Sequence, residues 1–246
     1  MNKKSLINSV LENFKVLIGA LIIAIIIRSL IFQPFYIPSS SMEPTLLIGD
    51  RIFVSKYTYG FSKHSFPFSP NIINERIHYK EPQQGDSVVF KTPEDNRTDF
   101  IKRLVGLPGD EIQFIDGEIF INNKKIKRKK IETNAKARCG KVVFDVNKYE
   151  ETLPNGIKHI AIYNKEGTIQ NTKKFSVPEN HFFLLGDNRD CSRDSRFDNI
   201  GYVSFINLVG KAQIIFFSND TTKNSLLKFW KLNNSFRIDR LFKKIK

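Results

Sequence analysis

The sequence predicts a mainly β protein, in which a single N-terminal transmembrane helix precedes an all-β core that carries an inserted β-rich subdomain. Three observations predict this fold class. The chain opens with one long apolar run, continues in short apolar runs separated by turn residues, and contains a middle stretch rich in Lys and Asn. Short apolar runs bounded by Gly, Pro, Asn and Asp are typical of strands. After the first run, no long stretch keeps a clear 3.6-residue period before the basic end of the chain.

The first apolar run is unbroken from Val16 to Ile27, and it reaches Phe32 if the side chain of Arg28 extends to the membrane interface. Its length of about 17 residues is close to the minimum for a membrane-spanning helix. A cleaved signal peptide is the alternative, since it also has a charged start and an apolar middle. Residues 33–36 contain proline and aromatic residues and no small-x-small cleavage site. We therefore predict an anchor over residues 16–32.

The charges that flank this run predict its orientation. Three lysines precede it: Lys3, Lys4 and Lys15. Between Arg28 and Arg51 the chain contains no Lys or Arg. Because positive charge close to a membrane span stays on the cytoplasmic side, residues 1–15 are predicted to be cytoplasmic and everything after the anchor exported.

Short strand-like runs follow the anchor. They cover Arg51–Val54, Asp86–Phe90, Phe100–Val105 and Glu118–Ile121, with turn signals at 82–85, 108–110 and 116–117. The stretch from about Glu111 to Asn180 is broken by hairpin turns and differs from its flanks, so it is interpreted as an insertion. The predicted organisation is a core first half (33–110), an inserted β subdomain (111–180), a core second half (181–220) and a basic tail (221–246).

The formal net charge is +14, from 39 Lys and Arg against 25 Asp and Glu. Such an excess is typical of proteins that bind nucleic acid or anionic lipid. Nucleic acid is not expected for an exported domain without a recognisable nucleic-acid-binding motif, so the predicted partner is a bilayer containing anionic lipid.

The basic residues concentrate in Lys124–Lys130 and in Lys223–Lys246, where Trp230, Phe236 and Phe242 alternate with Lys and Arg. Two interpretations of this tail remain open. It lies on a membrane as an amphipathic segment, or it is a solvated, poorly ordered terminus.

The cysteines and histidines exclude several kinds of site. Export permits a bridge between Cys139 and Cys191, but the sequence does not assign the pairing, and free thiols remain an equal alternative. No Cys/His spacing resembles a zinc site, and the four histidines are scattered. They are His64, His78, His159 and His181. We therefore predict no metal and no cofactor.

Four segments resemble, in order, the motifs of one enzyme family. They are Pro38–Leu46 (PSSSMEPTL), Gly85–Phe90 (GDSVVF), Ile101–Asp110 (IKRLVGLPGD) and Gly186–Arg196 (GDNRDCSRDSR). With the anchor before them, they resemble the nucleophile segment, the following box, the lysine box and the last box of bacterial type I signal peptidase. The resemblance covers the anchor and both halves of the core, and it does not extend to the insertion or the tail.

The resemblance implies a membrane-bound serine endopeptidase that removes N-terminal signal peptides from exported preproteins after a small-x-small motif. By match, Ser41 is the nucleophile, Lys102 is the general base, and the backbone N–H of Ser41 and the hydroxyl of Ser39 bind the oxyanion. A lysine with the usual pKa of about 10.4 is protonated near neutral pH, so this role requires burial. If residues 100–105 form a strand, Lys102 shares one face with the apolar side chains of Phe100 and Leu104.

The resemblance also implies residues that support the site and bind substrate. The hydroxyl of Ser192 is expected to hydrogen-bond the lysine amine and orient it. Four charged residues are expected to be structural: Asp187, Asp194, Arg196 and Arg103. An extended peptide is expected to add as a strand beside the core. The expected lining is Ile37, Pro38, Met42, Leu46 and Ile101 for the residue before the cut, and Phe35 and Asp99 for the residue two positions earlier. Ordinary core packing is the alternative for these side chains.

Three other functions remain open from the sequence. A self-cleaving regulator would share a serine-lysine β core, although the DNA-binding domain and cytoplasmic setting of such proteins are missing here. A histidine-based hydrolase would use Ser41, His181 and Asp187. A noncatalytic exported lipid-binding β protein would use the serines only as loop residues. By analogy with the resembled family, the single short anchor and the long insertion predict a bacterial inner membrane enzyme facing the periplasm.

Overall fold

The chain begins with one long helix, α1 (Lys3–Leu30). The computed structural model describes residues 3–71, 73–140, 142–164, 169–220 and 235–245. Within α1, the 20 residues Leu11–Leu30 have a mean hydropathy of 2.0, and only 6% of this window is buried. By length and composition this part of the helix can cross a membrane. So much apolar surface is unfavourable in water, which agrees with a lipid environment.

The helix ends two residues before the predicted end of the anchor. Residue Phe32 already belongs to the first strand, and the carbonyl of Ile31 accepts a hydrogen bond from the N–H of Lys56 at 3.0 Å. The helix therefore ends at Leu30, because pairing with the sheet requires an extended backbone from Phe32.

Short strands dominate the rest of the described chain. In order they are β1 (Phe32–Tyr36), β2 (Asp50–Ser55), β3 (Ser87–Lys91), β4 (Asp99–Gly106), β5 (Glu111–Ile115), β6 (Glu118–Ile121), β7 (Lys124–Lys125), β8 (Lys127–Cys139), β9 (Val142–Thr152), β10 (Lys158–Asn164), β11 (Phe175–Ser176), β12 (His181–Leu185), β13 (Val203–Ser204), β14 (Leu208–Ser218) and β15 (Lys243–Lys244). The predicted mainly β class with one N-terminal apolar helix is confirmed.

Eight strands form one antiparallel sheet, in the order β1-β2-β14-β3-β4-β12-β13 with β15 paired to β14. Strand β4 is central to its geometry. Strand β3 pairs with β4 from Asp99 to Arg103, whereas β12 pairs with it only from Arg103 to Gly106. The edge of β4 at residues 99–102 is therefore not covered by β12.

The strands between residues 111 and 176 form two smaller sheets. One has the order β11-β5-β6-β7 and the other the order β10-β9-β8. A parallel bridge joins β10 to the loop of residues 186–196, with the N–H of Arg189 donating to the carbonyl of Ile162 at 3.0 Å. A buried ion pair reinforces this contact, since Arg189 Nη2 lies 2.7 Å from Glu151 Oε2. Burial alone would raise the pKa of Glu151, but Arg189 reverses the sign and holds it below its usual range.

The described part of the basic tail returns to the main sheet. The ring of Phe236 packs on Phe217 with centroids 5.2 Å apart, and Ile245 packs against the core next to β14. Residues 221–234, including Trp230, lie outside the described residues. For 235–245 the interpretation as a solvated, poorly ordered terminus does not hold, because these residues pair with strand β14 and pack Phe236 and Ile245, both partly buried, against the sheet.

Candidate active site

A cavity of about 390 Å³ collects residues from β1, the loop that follows it, β4 and the loop of residues 186–196. We name residues 37–49 the serine loop and residues 186–196 the GDNRD loop. The lining residues are Phe35, Tyr36, Ile37, Pro38, Ser39, Ser41, Ile52, Val89, Thr98, Asp99, Phe100, Ile101, Lys102, Cys191 and Arg193.

The two residues predicted to carry the chemistry meet in this cavity. The Nζ atom of Lys102 lies 2.8 Å from Ser41 Oγ and also donates to the carbonyl of Ile101 at 3.0 Å. Lys102 is 3% exposed and Ser41 is 8% exposed. The pairing of β4 with β3, in which Lys102 lies opposite Val88, fixes the backbone that carries the amine.

Burial changes the protonation of the Lys102 amine. It lowers the pKa from the ordinary value of 10.5 to about 8, although Asp194 and Asp187 act in the opposite direction. The face of Phe100 contributes to the apolar surroundings, with its ring centroid 5.2 Å from Nζ. With a pKa near 8, about a tenth of the amines are neutral at pH 7, against fewer than about one in a thousand for an unperturbed lysine. A neutral amine can accept the proton of the Ser41 hydroxyl.

Arginines neutralise the two carboxylates that would otherwise raise the Lys102 pKa further. Arg103 binds Asp187 through two hydrogen bonds of 2.7 Å, and both side chains are fully buried. Arg196 binds Asp194 at 2.8 and 2.9 Å. Although burial opposes ionisation, Arg103 holds the pKa of Asp187 below its ordinary value. Because each carboxylate is paired with an arginine, Asp187 and Asp194 can lie near the site without stabilising the protonated form of Lys102 strongly.

The serine loop places a second hydroxyl beside Ser41. The Oγ atoms of Ser39 and Ser41 lie 3.3 Å apart. Tight turns hold this part of the loop, since the N–H of Glu43 donates to the Ser40 carbonyl at 3.0 Å and the N–H of Leu46 donates to the Met42 carbonyl at 2.8 Å.

The GDNRD loop packs directly on the serine loop. The N–H of Asn188 donates to the Ser41 carbonyl at 3.1 Å, and its side-chain amide donates to the Ser40 carbonyl at 3.2 Å. At Gly186 an added Cβ would lie 2.5 Å from the Ser41 carbonyl oxygen, so only glycine allows this approach. The two motifs thus fix each other's backbone.

The expected contact of Ser192 with the lysine amine is absent. Its hydroxyl is buried and has no hydrogen-bond partner among the residues that the structure describes. The hydroxyl instead lies over Gly186, where an added Cβ would come within 2.2 Å of it. The structure therefore contradicts the expected hydrogen bond between Ser192 and Lys102. The close packing of the GDNRD loop directs the Ser192 side chain toward Gly186.

The residues expected to bind substrate divide into two groups. Five of them line the cavity: Phe35, Ile37, Pro38, Asp99 and Ile101. Met42 and Leu46 do not line it. They are 1% and 0% exposed and belong to the core cluster beneath the serine loop. The loop turns between Ser41 and Leu46 direct both side chains away from the cavity.

The two cysteines form a disulfide, Cys139–Cys191, so the free-thiol alternative is wrong. The bridge connects the end of β8 to the GDNRD loop. Cys191 also lines the cavity, and its Sγ lies 3.7 Å from Ser40 Oγ. The end of β8 is thus covalently attached to a wall of the site.

Several residues at the site were missed from the sequence. Thr45 donates its hydroxyl to Asp187 Oδ2 at 2.5 Å, and Glu43 accepts from the N–H of Arg138 at 3.0 Å. Thr45 and Asn188 lie inside the motif segments, and this position in the sequence is the signal that could have identified them as site residues.

His181 does not line the cavity, and its Nδ1 lies 2.8 Å from the carbonyl of Glu179. Within the described ranges no group of three His, Cys, Asp or Glu residues could hold a metal.

Comparison with known proteins gives one consistent family. The family model described as "Signal peptidase, peptidase S26" matches residues 10–217. Signal peptidase I of Rickettsia typhi is 43% identical over 241 residues, which cover 91% of this chain and 89% of the relative. Signal peptidase I of Rickettsia prowazekii is 42% identical over 240 residues, with the same two coverages. A solved signal peptidase I from Enterococcus faecalis is 25% identical with a TM-score of 0.35, and the match covers 54% of this chain and 97% of that chain. The extent of the family match and of the Rickettsia matches establishes that this chain belongs to the signal peptidase family, peptidase S26.

Proposed function

We propose that this chain is a membrane-anchored serine endopeptidase that removes N-terminal signal peptides from exported preproteins, with Ser41 as nucleophile and Lys102 as general base. The observation that carries this proposal is the 2.8 Å contact between Lys102 Nζ and Ser41 Oγ, made by an amine whose burial lowers its pKa to about 8. The substrate class is supported by the relatives, which are signal peptidases I.

The proposed reaction uses the neutral amine twice. Lys102 accepts the proton of Ser41 Oγ while the oxygen attacks the scissile carbonyl, and the resulting ammonium gives that proton to the leaving amine. Lys102 then accepts a proton from water as the water attacks the acyl-serine, and it gives this proton to Ser41 Oγ as the bond to the serine breaks, which releases the signal peptide with a free carboxylate and restores the neutral amine. The N–H of Ser41 and the hydroxyl of Ser39 donate to the oxyanion, and one such donor contributes about 3 kcal/mol.

The substrate is proposed to bind as a strand along the uncovered edge of β4 at residues 99–102. Main-chain hydrogen bonds to an open strand edge supply affinity, and alternate side chains enter pockets. The walls formed by Ile37 and Ile101 leave room for a small residue before the cut, and Phe35 and Asp99 limit the residue two positions earlier. This arrangement accounts for a small-x-small specificity.

The helix α1 is proposed to hold the enzyme in the membrane that contains its substrates. Enzyme and signal peptide then share one bilayer, which raises their effective concentration. The lysines before the helix favour a cytoplasmic N-terminus and a catalytic domain on the periplasmic face of the inner membrane.

The contacts of the rival residues favour the lysine mechanism. A histidine mechanism needs His181 beside Ser41 and Asp187 behind it, but His181 is not part of the cavity wall and Asp187 is bound by Arg103. A self-cleaving regulator would use the same serine and lysine, so only the substrate separates it from the proposed function.

The test is cleavage of a purified preprotein in detergent by wild type, Ser41→Ala, Lys102→Ala and the control His181→Ala, with product N-termini identified by mass spectrometry. We expect wild type and His181→Ala to cut after small-x-small, and both dyad variants to lose cutting. Matched preproteins with Leu before the cut, or two residues earlier, should resist wild type. Cutting by Lys102→Ala, or no discrimination between Ala and Leu, would contradict the proposal.

A further inference from the structure

We propose that the C-terminal segment (residues 235–245) clamps the serine loop from behind, and that Arg240 is a positioning residue for Ser41. This inference rests on the proposed function. It concerns a part of the chain that lies beyond the match to the family model, which ends at residue 217.

The guanidinium of Arg240 binds the second half of the serine loop and the first residue of β2. Its Nε lies 3.1 Å from Asp50 Oδ1, and its Nη2 lies 2.5 Å from Asp50 Oδ2. The same Nη2 donates to the carbonyl of Thr45 at 2.9 Å. Arg240 is only 6% exposed, so these contacts are shielded from water. Burying a charged guanidinium carries a desolvation penalty that its hydrogen bonds and ion pairs must offset. We therefore attribute to Arg240 a role in fixing the geometry of the loop and not a large gain in stability.

Asp50 passes this constraint into the loop backbone. Its Oδ2 also accepts from the N–H of Leu47 at 2.8 Å, and its Oδ1 accepts from the hydroxyl of Ser218 at 2.6 Å. Arg237 adds a second contact by donating to the carbonyl of Ile48 at 3.0 Å. The loop between Thr45 and Asp50 is thus held at several backbone positions by the C-terminal segment and β14.

Thr45 connects this clamp to both members of the dyad. Its hydroxyl donates to Asp187, which is bound by Arg103, the neighbour of Lys102 on β4. Its backbone lies four residues after Ser41. A shift at Thr45 would change the position of Ser41 relative to a lysine held by the sheet. Because a displacement of about 1 Å at a reacting atom can cost about 100-fold in rate, the clamp is placed where it affects turnover.

The segment is itself attached to the main sheet and not only to Arg240. Strand β15 pairs with β14, and the N–H groups of Phe242 and Ile245 donate to the carbonyls of Ile215 and Gln213 at 2.7 and 2.9 Å. The guanidinium is therefore presented from a rigid position, which is what a positioning contact requires.

The experiment uses the full-length enzyme in detergent and measures kcat and KM for preprotein cleavage by wild type, Arg240→Ala, Arg240→Lys and the control Lys243→Ala. Lys243 lies in the same segment with an exposed side chain. We expect Arg240→Ala to lower kcat by about 10- to 100-fold with KM nearly unchanged. Guanidinium ion at a low, non-denaturing concentration should restore part of that kcat, whereas NaCl at the same ionic strength should not. Lys243→Ala should behave like wild type.

A kcat for Arg240→Ala equal to that of wild type would overturn the inference. So would a loss of kcat that follows the melting temperature and that guanidinium does not restore. If Arg240→Ala does not fold, Arg240→Lys decides, since lysine keeps the charge but lacks the planar fork with which Arg240 reaches both oxygens of Asp50 and the Thr45 carbonyl, and it should lower kcat in a folded protein. A wild type that cuts nothing would overturn the proposed function and this inference together, whereas an active wild type with a fully active Arg240 variant overturns the inference alone.

Discussion

Lys102 is the residue at which stability and chemistry conflict most directly. Its amine is 3% exposed, and burial lowers its pKa from 10.5 to about 8. At neutral pH most of the buried Lys102 amines are therefore charged, and this buried charge destabilises the folded protein relative to one with an apolar side chain at the same position. The same burial supplies the neutral amine that the proposed mechanism needs.

Replacing this lysine should stabilise the protein while abolishing turnover. The folded pKa of about 8 lies below the ordinary 10.5, so wild-type stability rises between these two pH values, where the unfolded chain binds more protons. Lys102→Met has no such dependence. We expect it to be more stable than wild type by on the order of 3 kcal/mol below pH 8, with the difference shrinking toward pH 10.5. Denaturant unfolding of both proteins from pH 6 to 10 checks this, and a less stable Lys102→Met at pH 7 would contradict it.

Ser39 makes a separate prediction about the oxyanion. Its hydroxyl lies 3.3 Å from Ser41 Oγ and is the proposed side-chain donor. Ser39→Ala should lower kcat by about 100- to 1,000-fold with little change in KM, because the donor acts mainly in the transition state. The matched control is Ser40→Ala, whose hydroxyl contacts only Cys191 Sγ in the described structure. Equal effects of the two changes would argue against a specific donor at Ser39.

Strand periodicity explains which local features were predictable. Lys102 and Arg103 are neighbours on β4. Their side chains point to opposite faces of the sheet, as the two-residue repeat of a strand requires. The same reasoning does not reach the loops. Met42 and Leu46 turn into the core, and Ser192 packs over Gly186, because tight turns and loop packing decide their directions. No local pattern encodes such turns.

The disulfide joins two elements that the sequence places far apart. Cys139 ends β8, and Cys191 lies in the GDNRD loop, with a sequence separation of 52. Their meeting depends on how the small sheet docks on the core, which is why the sequence left the pairing open.

Removing this bridge should destabilise the protein. Closing a loop of this length is worth about 4 kcal/mol in the chain-entropy account. We expect a reductant to lower the melting temperature and the activity of wild type together, since Cys191 also lines the cavity. The double variant Cys139→Ser/Cys191→Ser is the control, and it should start from the lower melting temperature and not respond to reductant. A wild-type melting temperature that reductant leaves unchanged would argue against the bridge.

The molecule as a whole combines an apolar helix, an eight-stranded sheet and two small sheets. The mainly β class and the apolar helix were predictable, because composition and periodicity are local properties. The clamp by residues 235–245 was not, since Arg240 lies 190 residues from Asp50 along the chain and no motif marks their contact. The dyad residues were found only through the family motif, because a buried lysine is indistinguishable from a surface lysine in a single sequence.

The serine-lysine mechanism is tested by the pH dependence of kcat/KM for wild type, measured with a capped peptide that has no group titrating between pH 5 and 10. A neutral Lys102 base predicts a rate that rises tenfold per pH unit and levels off near the lysine pKa of about 8. A limb near 6.5 would instead identify a histidine base, and a flat profile would leave no role for the buried amine. Either result would contradict the serine-lysine mechanism.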